Sequence, residues 1–137
     1  MPKQNKLPLI KLPKIFDDCY LIFAQTPHHI PFNIKRIYYI IQADPELPRG
    51  YHAHKKTKQV IFCIQGNIKL TLDNGKRRRN IVLQEPHIGV LVDKMIWHEM
   101  RDFKKDTILL VLASRIFDEK DYIRDYEKFK KRADKIR

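Results

Sequence analysis

The chain is short of several things, and each shortage closes off a class of function. Cys19 and Cys63 are the only two cysteines in 137 residues, and neither has metal-type spacing. In a reducing compartment such a pair is expected as free thiols, not a disulfide. No apolar run reaches the roughly 18 to 20 residues that a membrane helix needs. The N-terminus carries no signal-peptide pattern, so a cytoplasmic location without a membrane partner is expected. Internal repeats and low-complexity tracts are missing too. Acidic residues are scarce: 16 Asp and Glu stand against 28 Lys and Arg, for a formal charge of +12.

That excess raises nucleic acid as a partner, but its distribution argues the other way. Lys128, Lys130, Lys131, Arg132, Lys135 and Arg137 form a basic C-terminal tail. Lys3, Lys6, Lys11 and Lys14 decorate the N-terminus, and Lys76-Arg77-Arg78-Arg79 follows a turn. Scattered, mostly terminal clusters read as solvated faces, so no nucleic-acid partner is expected. The charge does favour an anionic small ligand such as a nucleotide. With 43% hydrophobic and 32% charged residues, the composition is that of one folded domain, residues 1–137, with one core.

What the chain does have is β-pattern. Residues 1–14 mix prolines with Leu and Ile and predict an N-terminal arm or edge strand that covers a partner subunit. Tyr20 to Gln25 reads as a strand, and Thr26 to Pro31 as a loop. Over 34–41, Arg36, Tyr38 and Ile40 share one face of a strand while Ile37, Tyr39 and Ile41 share the other. Lys58 to Ile64 is another strand, closed by Gly66. Ile68, Leu70 and Leu72 alternate with polar residues, Asp73-Asn74-Gly75 predicts a tight hairpin, and Lys76 to Leu83 returns. Short strands are expected at 89–92 and 96–100. Thr107 to Ala113 is apolar enough for burial on both faces. Beyond Phe117 the period changes. Asp118 predicts a helix cap, and Tyr122, Tyr126, Phe129 and Ala133 a packing stripe on a helix over 118–133. Many short strands and one terminal helix predict an all-β sandwich or jelly roll.

Chemistry concentrates in Arg49-Gly50-Tyr51-His52-Ala53-His54-Lys55-Lys56-Thr57-Lys58-Gln59. Two histidines two apart on a strand point to the same face. His52, His54, Gln59 and Gly66 are spaced like the first motif of the cupins, H-x-H-x4-E-x6-G, with Gln in place of Glu. His98, after Trp97, sits where the second cupin motif places its histidine. Three imidazoles and a carboxamide on one cavity can hold a divalent metal, weakened by the loss of the carboxylate. They can also move protons: imidazole titrates near neutrality, and a protonated histidine, Tyr38 or Arg36 can stabilise an enolate oxygen. Trp97, on the opposite face from His98, is expected to pack. The adjacent His28 and His29 read as a surface loop.

The chain resembles the cupin sugar 3,4-ketoisomerases that act on dTDP-4-keto-6-deoxyglucose. The resemblance rests on Ile30-Pro31-Phe32-Asn33-Ile34-Lys35-Arg36-Ile37-Tyr38-Tyr39-Ile40 and on Arg49 to Lys56 with Gln59. It extends to Leu72-Asp73-Asn74-Gly75, Trp97-His98-Glu99-Met100, Val111-Leu112-Ala113-Ser114 and Asp121-Tyr122-Ile123-Arg124. It implies a cupin jelly roll with a C-terminal helix, a domain-swapped homodimer, and catalysis without a metal or redox cofactor. The implied reaction moves the ketone from carbon 4 to carbon 3 through an enediol, in deoxy-amino-sugar biosynthesis. His52, His54 and Tyr38 are then the implied proton carriers. Arg36 and Arg49 are the implied diphosphate ligands, and Gln59 and His98 complete the sugar pocket. One stretch departs: many relatives carry Asp-x-Arg-Gly where this chain has Phe16-Asp17-Asp18-Cys19-Tyr20. His98, where some relatives carry arginine, favours a galacto-type over a gluco-type product. The rival readings are a metal-dependent cupin using His52, His54, Gln59 and His98, a 3,5-epimerase of the same nucleotide sugar, and a non-catalytic sugar-binding or regulatory cupin.

Overall fold

The computed structural model describes residues 7–137 and is built almost wholly of antiparallel β-structure. The strands are β1 (Leu9–Lys11), β2 (Lys14–Asp17), β3 (Cys19–Ile22), β4 (Arg36–Ile40), β5 (Arg49–His54) and β6 (Gln59–Gln65). They continue with β7 (Ile68–Asp73), β8 (Arg78–Leu83), β9 (Ile88–Val92), β10 (Trp97–Arg101), β11 (Ile108–Ala113) and β12 (Tyr122–Ile123). One helix, α1 (Tyr126–Ile136), closes the chain. One five-stranded sheet runs β1-β9-β6-β11-β4 and a second runs β12-β5-β10-β7-β8, while β2 and β3 pair only with each other. The result is a cupin-like β-sandwich with a C-terminal helix. Among the described residues no helix is long and apolar enough to cross a membrane.

Three apolar clusters fix these layers. Ile61, Cys63, Leu70, Leu72, Val90, Met100, Leu109 and Val111 fill the space between the sheets. Val60, Phe62 and Leu112 point to the outer side of the first sheet and are covered by Leu12 and Ile30. Strands β6 and β11 are therefore buried on both faces, which is why they read as nearly unbroken apolar runs. Trp97, Ala53 and Ile123 on the outer side of the second sheet are covered by Phe129 and Ala133 of α1. Trp97 thus packs on the side away from His98, as strand alternation requires.

Several boundaries differ from the sequence expectations. The arm is a strand only over Leu9–Lys11, at the edge beside β9, and residues 1–6 of the expected arm lie outside the described residues. The strand expected from Tyr20 is one half of a hairpin whose other half, β2, carried no clean alternation; Asp18 at its turn has φ 66°. The return after Asn74-Gly75 starts at Arg78, because Asp73 pairs with Arg78 across a four-residue loop and not a two-residue turn. Helix α1 begins at Tyr126, not at Asp118. Asp118 caps only a short 3₁₀ turn, Glu119–Asp121, and the true helix cap is Asp125, whose side chain accepts from the Lys128 N–H. Tyr122 and Ile123 are extended because they pair with His54 and Ala53 of β5. Tyr122 therefore leaves the helical stripe to which its spacing had assigned it.

Candidate active site

The site is built where β5 pairs with β10. Their pairing shifts register between His98 and Glu99, so the ladder carries a bulge beside the histidines. On β5, Gly50 has φ +90° and Tyr51 φ +60°. A Cβ on Gly50 would lie 2.8 Å from the His98 carbonyl oxygen, so only glycine lets the strands approach this closely. The kink sets His52 directly across from His98 in the ladder. Their ring centroids are 4.5 Å apart, and that of His54 is 5.1 Å from His52.

A cavity of about 340 Å³ opens here, lined by His52, His98, Gln59, Tyr38, Arg36 and Arg49, with Tyr122, Arg124, Gly50, Ile40 and Met100 completing the wall. Six of the seven residues singled out from sequence thus share one cavity. His54 does not line it. It is 2% exposed and sits behind, with its ring 4.5 Å from that of Tyr122.

Hydrogen bonds set the tautomers of the three imidazoles. His52 Nδ1 lies 3.1 Å from the Gly50 carbonyl and His98 Nδ1 lies 3.2 Å from that of Ile96. A carbonyl can only accept, so both Nδ1 atoms carry the proton and both Nε2 atoms keep a free lone pair. His54 Nδ1 donates to Asp121 Oδ2 at 3.2 Å, and its buried Nε2 has no hydrogen-bond partner. Burial, and then the neighbouring His54, push the His52 pKa down to about 4. Burial and then His52 push His98 down to about 3. His54 is also lowered, by burial that outweighs the opposing pull of Asp121. All three are neutral bases at neutral pH.

Tyr38 is the complementary acid. Burial raises its pKa above the usual phenol value, against the opposing pull of Arg36. Its oxygen accepts from Gln59 Nε2 at 2.9 Å, which leaves its own proton free to donate into the cavity. Arg36 approaches the Tyr38 ring, with 5.2 Å between its guanidinium carbon and the ring centroid, and its buried Nε has no partner. Arg36 and Arg49 line the cavity with no carboxylate among its lining residues, so it suits an anion; Arg124, also in the wall, is paired with Glu119 outside it.

Asp121, Tyr122 and Arg124 were missed as site residues, having been assigned to a helix. Their signal was the alternation of Tyr122 and Arg124, which share one face of an extended chain. Asp121 is the anchor: it accepts from the Lys56 and Thr57 N–H groups and from the Thr57 hydroxyl, besides His54. Burial works to raise its pKa, but these bonds outweigh it and hold the carboxylate ionised. As to a metal, His52, His54 and His98 each offer one nitrogen, all within 4.8 Å of one another, and form the one such group among the described residues. Gln59 donates an amide N–H to the Tyr38 oxygen and is not needed to complete the trio. The trio fits a borderline divalent cation bound through three imidazoles.

The chain matches the family described as FdtA: WxcM-like, C-terminal over residues 5–134. It is 45% identical over 134 residues to the TDP-4-oxo-6-deoxy-alpha-D-glucose-3,4-oxoisomerase of Aneurinibacillus thermoaerophilus, covering 97% of this chain and 95% of that protein. Among solved structures it resembles the sugar 3,4-ketoisomerase of Thermoanaerobacterium thermosaccharolyticum in complex with TDP, with a TM-score of 0.90 and 41% identity over 93% of this chain and 94% of that one. A histidine-to-asparagine variant of that enzyme, in complex with TDP-4-keto-6-deoxyglucose, matches with a TM-score of 0.90 and 41% identity over 93% of each chain.

Proposed function

The chain belongs to the FdtA: WxcM-like, C-terminal family, and from that we propose that it is a nucleotide-sugar 3,4-ketoisomerase acting on TDP-4-keto-6-deoxyglucose. The observation that carries the reading is the meeting of a neutral base, His52, and a neutral acid, Tyr38, on one arginine-lined cavity.

In this reading Arg36 and Arg49 hold the diphosphate, joined by Arg124, which lines the same wall. His52 Nε2 removes the proton from carbon 3, next to the ketone. The electron pair moves to make a carbon 3–carbon 4 double bond, and the carbon 4 oxygen takes the proton from the His52 imidazolium to give the enediol and restore neutral His52. Tyr38 then delivers its proton to carbon 4 as the carbonyl forms at carbon 3, and the proton lost by the carbon 3 hydroxyl restores the Tyr38 phenol. No redox cofactor is required, since the oxidation at carbon 3 equals the reduction at carbon 4. His54, tied to Asp121, stands behind His52 and relays or holds charge as His52 takes up the proton. Gln59 orients Tyr38, and His98 contacts the sugar. We assign the galacto-type product on the strength of His98, where the resemblance separates histidine from arginine. We also read the protein as a homodimer.

A second reading, a metal-dependent cupin, is favoured by the convergence of three nitrogens within 4.8 Å. One experiment separates the two. The protein is incubated with TDP-4-keto-6-deoxyglucose in deuterated water, with and without chelator, and the sugar is followed by NMR. A 3-keto product with deuterium at carbon 4, formed equally in both tubes, is expected. Loss of turnover with chelator would establish the metal reading, and an unchanged sugar in both tubes would overturn the assignment of substrate.

A further inference from the structure

A second concavity, of about 820 Å³, runs along α1 and borders the first: Tyr122 and Arg124 line both. Its wall is strongly basic. Lys128, Lys131, Arg132 and Lys135 recur at helical spacing and form one exposed stripe of α1, apart from the buried stripe of Phe129 and Ala133. Lys55, from the turn after β5, faces the same groove. The two carboxylates on this wall are already engaged. Glu119 is paired with Arg124 at 3.0 Å, and Asp125 caps α1 through the Lys128 N–H. The ion pairs among the described residues leave out all four cations of the stripe.

Within the stripe the like charges repel one another, even though Lys135 in the last turn complements the helix dipole. Lys128 with Arg132, and Lys131 with Lys135, are like charges one turn apart. What the stripe does produce is a positive field beside the histidine cavity, whose wall carries Arg36 and Arg49 and shares Arg124 with the groove. From the first to the last cation the stripe spans about 10 Å, at ~1.5 Å per residue. That is about one Debye length at 0.1 M salt. An anion drawn to any point of the groove therefore stays within the field of the next cation.

We infer that the α1 groove is a capture surface for the diphosphate of the incoming nucleotide sugar and passes it through Arg124 to the histidine cavity. The inference rests on the ketoisomerase reading for the identity of the ligand, but its observable is association and not turnover. The stripe accelerates encounter and makes no contact in the final complex. Its effect belongs to the association rate and vanishes when salt screens it.

The test is stopped-flow binding of fluorescently labelled TDP to the unaltered protein and to the triple variant Lys131→Gln, Arg132→Gln, Lys135→Gln. These side chains are exposed and outside the histidine cavity, so the fold is expected to survive; circular dichroism checks it. At low ionic strength the association rate should fall about tenfold in the variant, and the difference should close at about 0.5 M salt. The dissociation rate should stay within about twofold. The charge-preserving set Lys131→Arg, Arg132→Lys, Lys135→Arg should associate as fast as the unaltered protein. An association rate indifferent to the triple change would overturn the inference. So would faster dissociation that persists at high salt, which would make the three residues part of the bound-state contact. If labelled TDP fails to bind the unaltered protein, the nucleotide reading itself falls and takes this one with it.

Discussion

His52 keeps a lone pair on Nε2 because its other nitrogen is committed to the Gly50 carbonyl and because burial beside His54 depresses its pKa to about 4. Two consequences with different pH windows follow. For catalysis, the base is active when neutral, so kcat/KM should hold from neutrality down to about pH 4 and fall about tenfold per unit below it. For stability, the unfolded imidazole has a pKa near 6.5 and so binds more protons than the folded one at any pH between the two values. Stability from His52 is thus complete above about 6.5 and is lost as pH falls towards about 4; for His98 the loss continues towards about 3. The melting temperature should therefore begin to drop more than a unit before activity at fixed temperature does. Paired measurements of melting and rate from pH 7 to 4 check this, and an acid limb of kcat/KM near 6.5 would remove His52 as a low-pKa base. At this scale the sequence was informative about which side chains meet, since period-2 alternation placed Tyr38 with Arg36 and the HxH spacing marked His52. It was silent on depth. His52 and His54 share a strand face, yet only one lines the cavity, because Tyr122 arrives from β12 to cover the other.

Among the elements, the β5–β10 pairing matters most to the site. A regular ladder through Arg49–His54 would not bring its backbone this close to His98; the positive φ at Gly50 and Tyr51 and the register shift opposite them do. Replacing Gly50 by Ala puts a Cβ into a positive-φ position and 2.8 Å from a backbone oxygen. The strain should cost about 1–3 kcal/mol. In a chain of this size that lowers the melting temperature by about 3–10 °C. The shift of β10 should displace His98 as well, so turnover should drop further than the lost stability explains. Thermal melts beside kcat at a temperature where the variant is fully folded test this, and a normal kcat in a destabilised variant would separate the kinked pairing from the chemistry. Element type was legible wherever periodicity was strong, as in β4, β6, β7 and β11. It failed at β12, where two residues of pairing carry no period and the aromatic at 122 falls in step with Tyr126, Phe129 and Ala133. Tyr122 and Ile123 are extended by pairing with β5, a pairing anchored by the Asp121 carboxylate, which is held by backbone groups of residues 56 and 57. A contact between segments more than sixty residues apart leaves no mark on local pattern.

Across the whole molecule, the apolar surface does not close on itself. The outer face of edge strand β4 leaves Ile37, Tyr39 and neighbouring Ile41 at 58, 68 and 56% exposed. Alternation had marked this face as apolar, and one chain does not bury it. The hairpin of β2 and β3 exposes Ile15, Phe16, Tyr20 and Leu21 and joins neither sheet. Two-stranded hairpins are marginal in water without a surface to cover them. An edge strand with large apolar side chains is likewise a pairing hazard unless something occupies it. The proposed homodimer answers both: a two-fold partner can offer the same two surfaces in return, hairpin to strand face. It follows that Ile37→Lys with Tyr39→Lys should convert a dimer to a monomer in light scattering. The cost should appear as instability of the hairpin, seen as faster amide exchange over residues 14–22, while β6 and β11 stay protected by burial on both faces. A monomeric unaltered protein, or a dimer indifferent to two lysines on β4, would mean that this face is not the interface. The apolar stripe would then need another occupant, and the hairpin would have to draw its order from the body of its own chain.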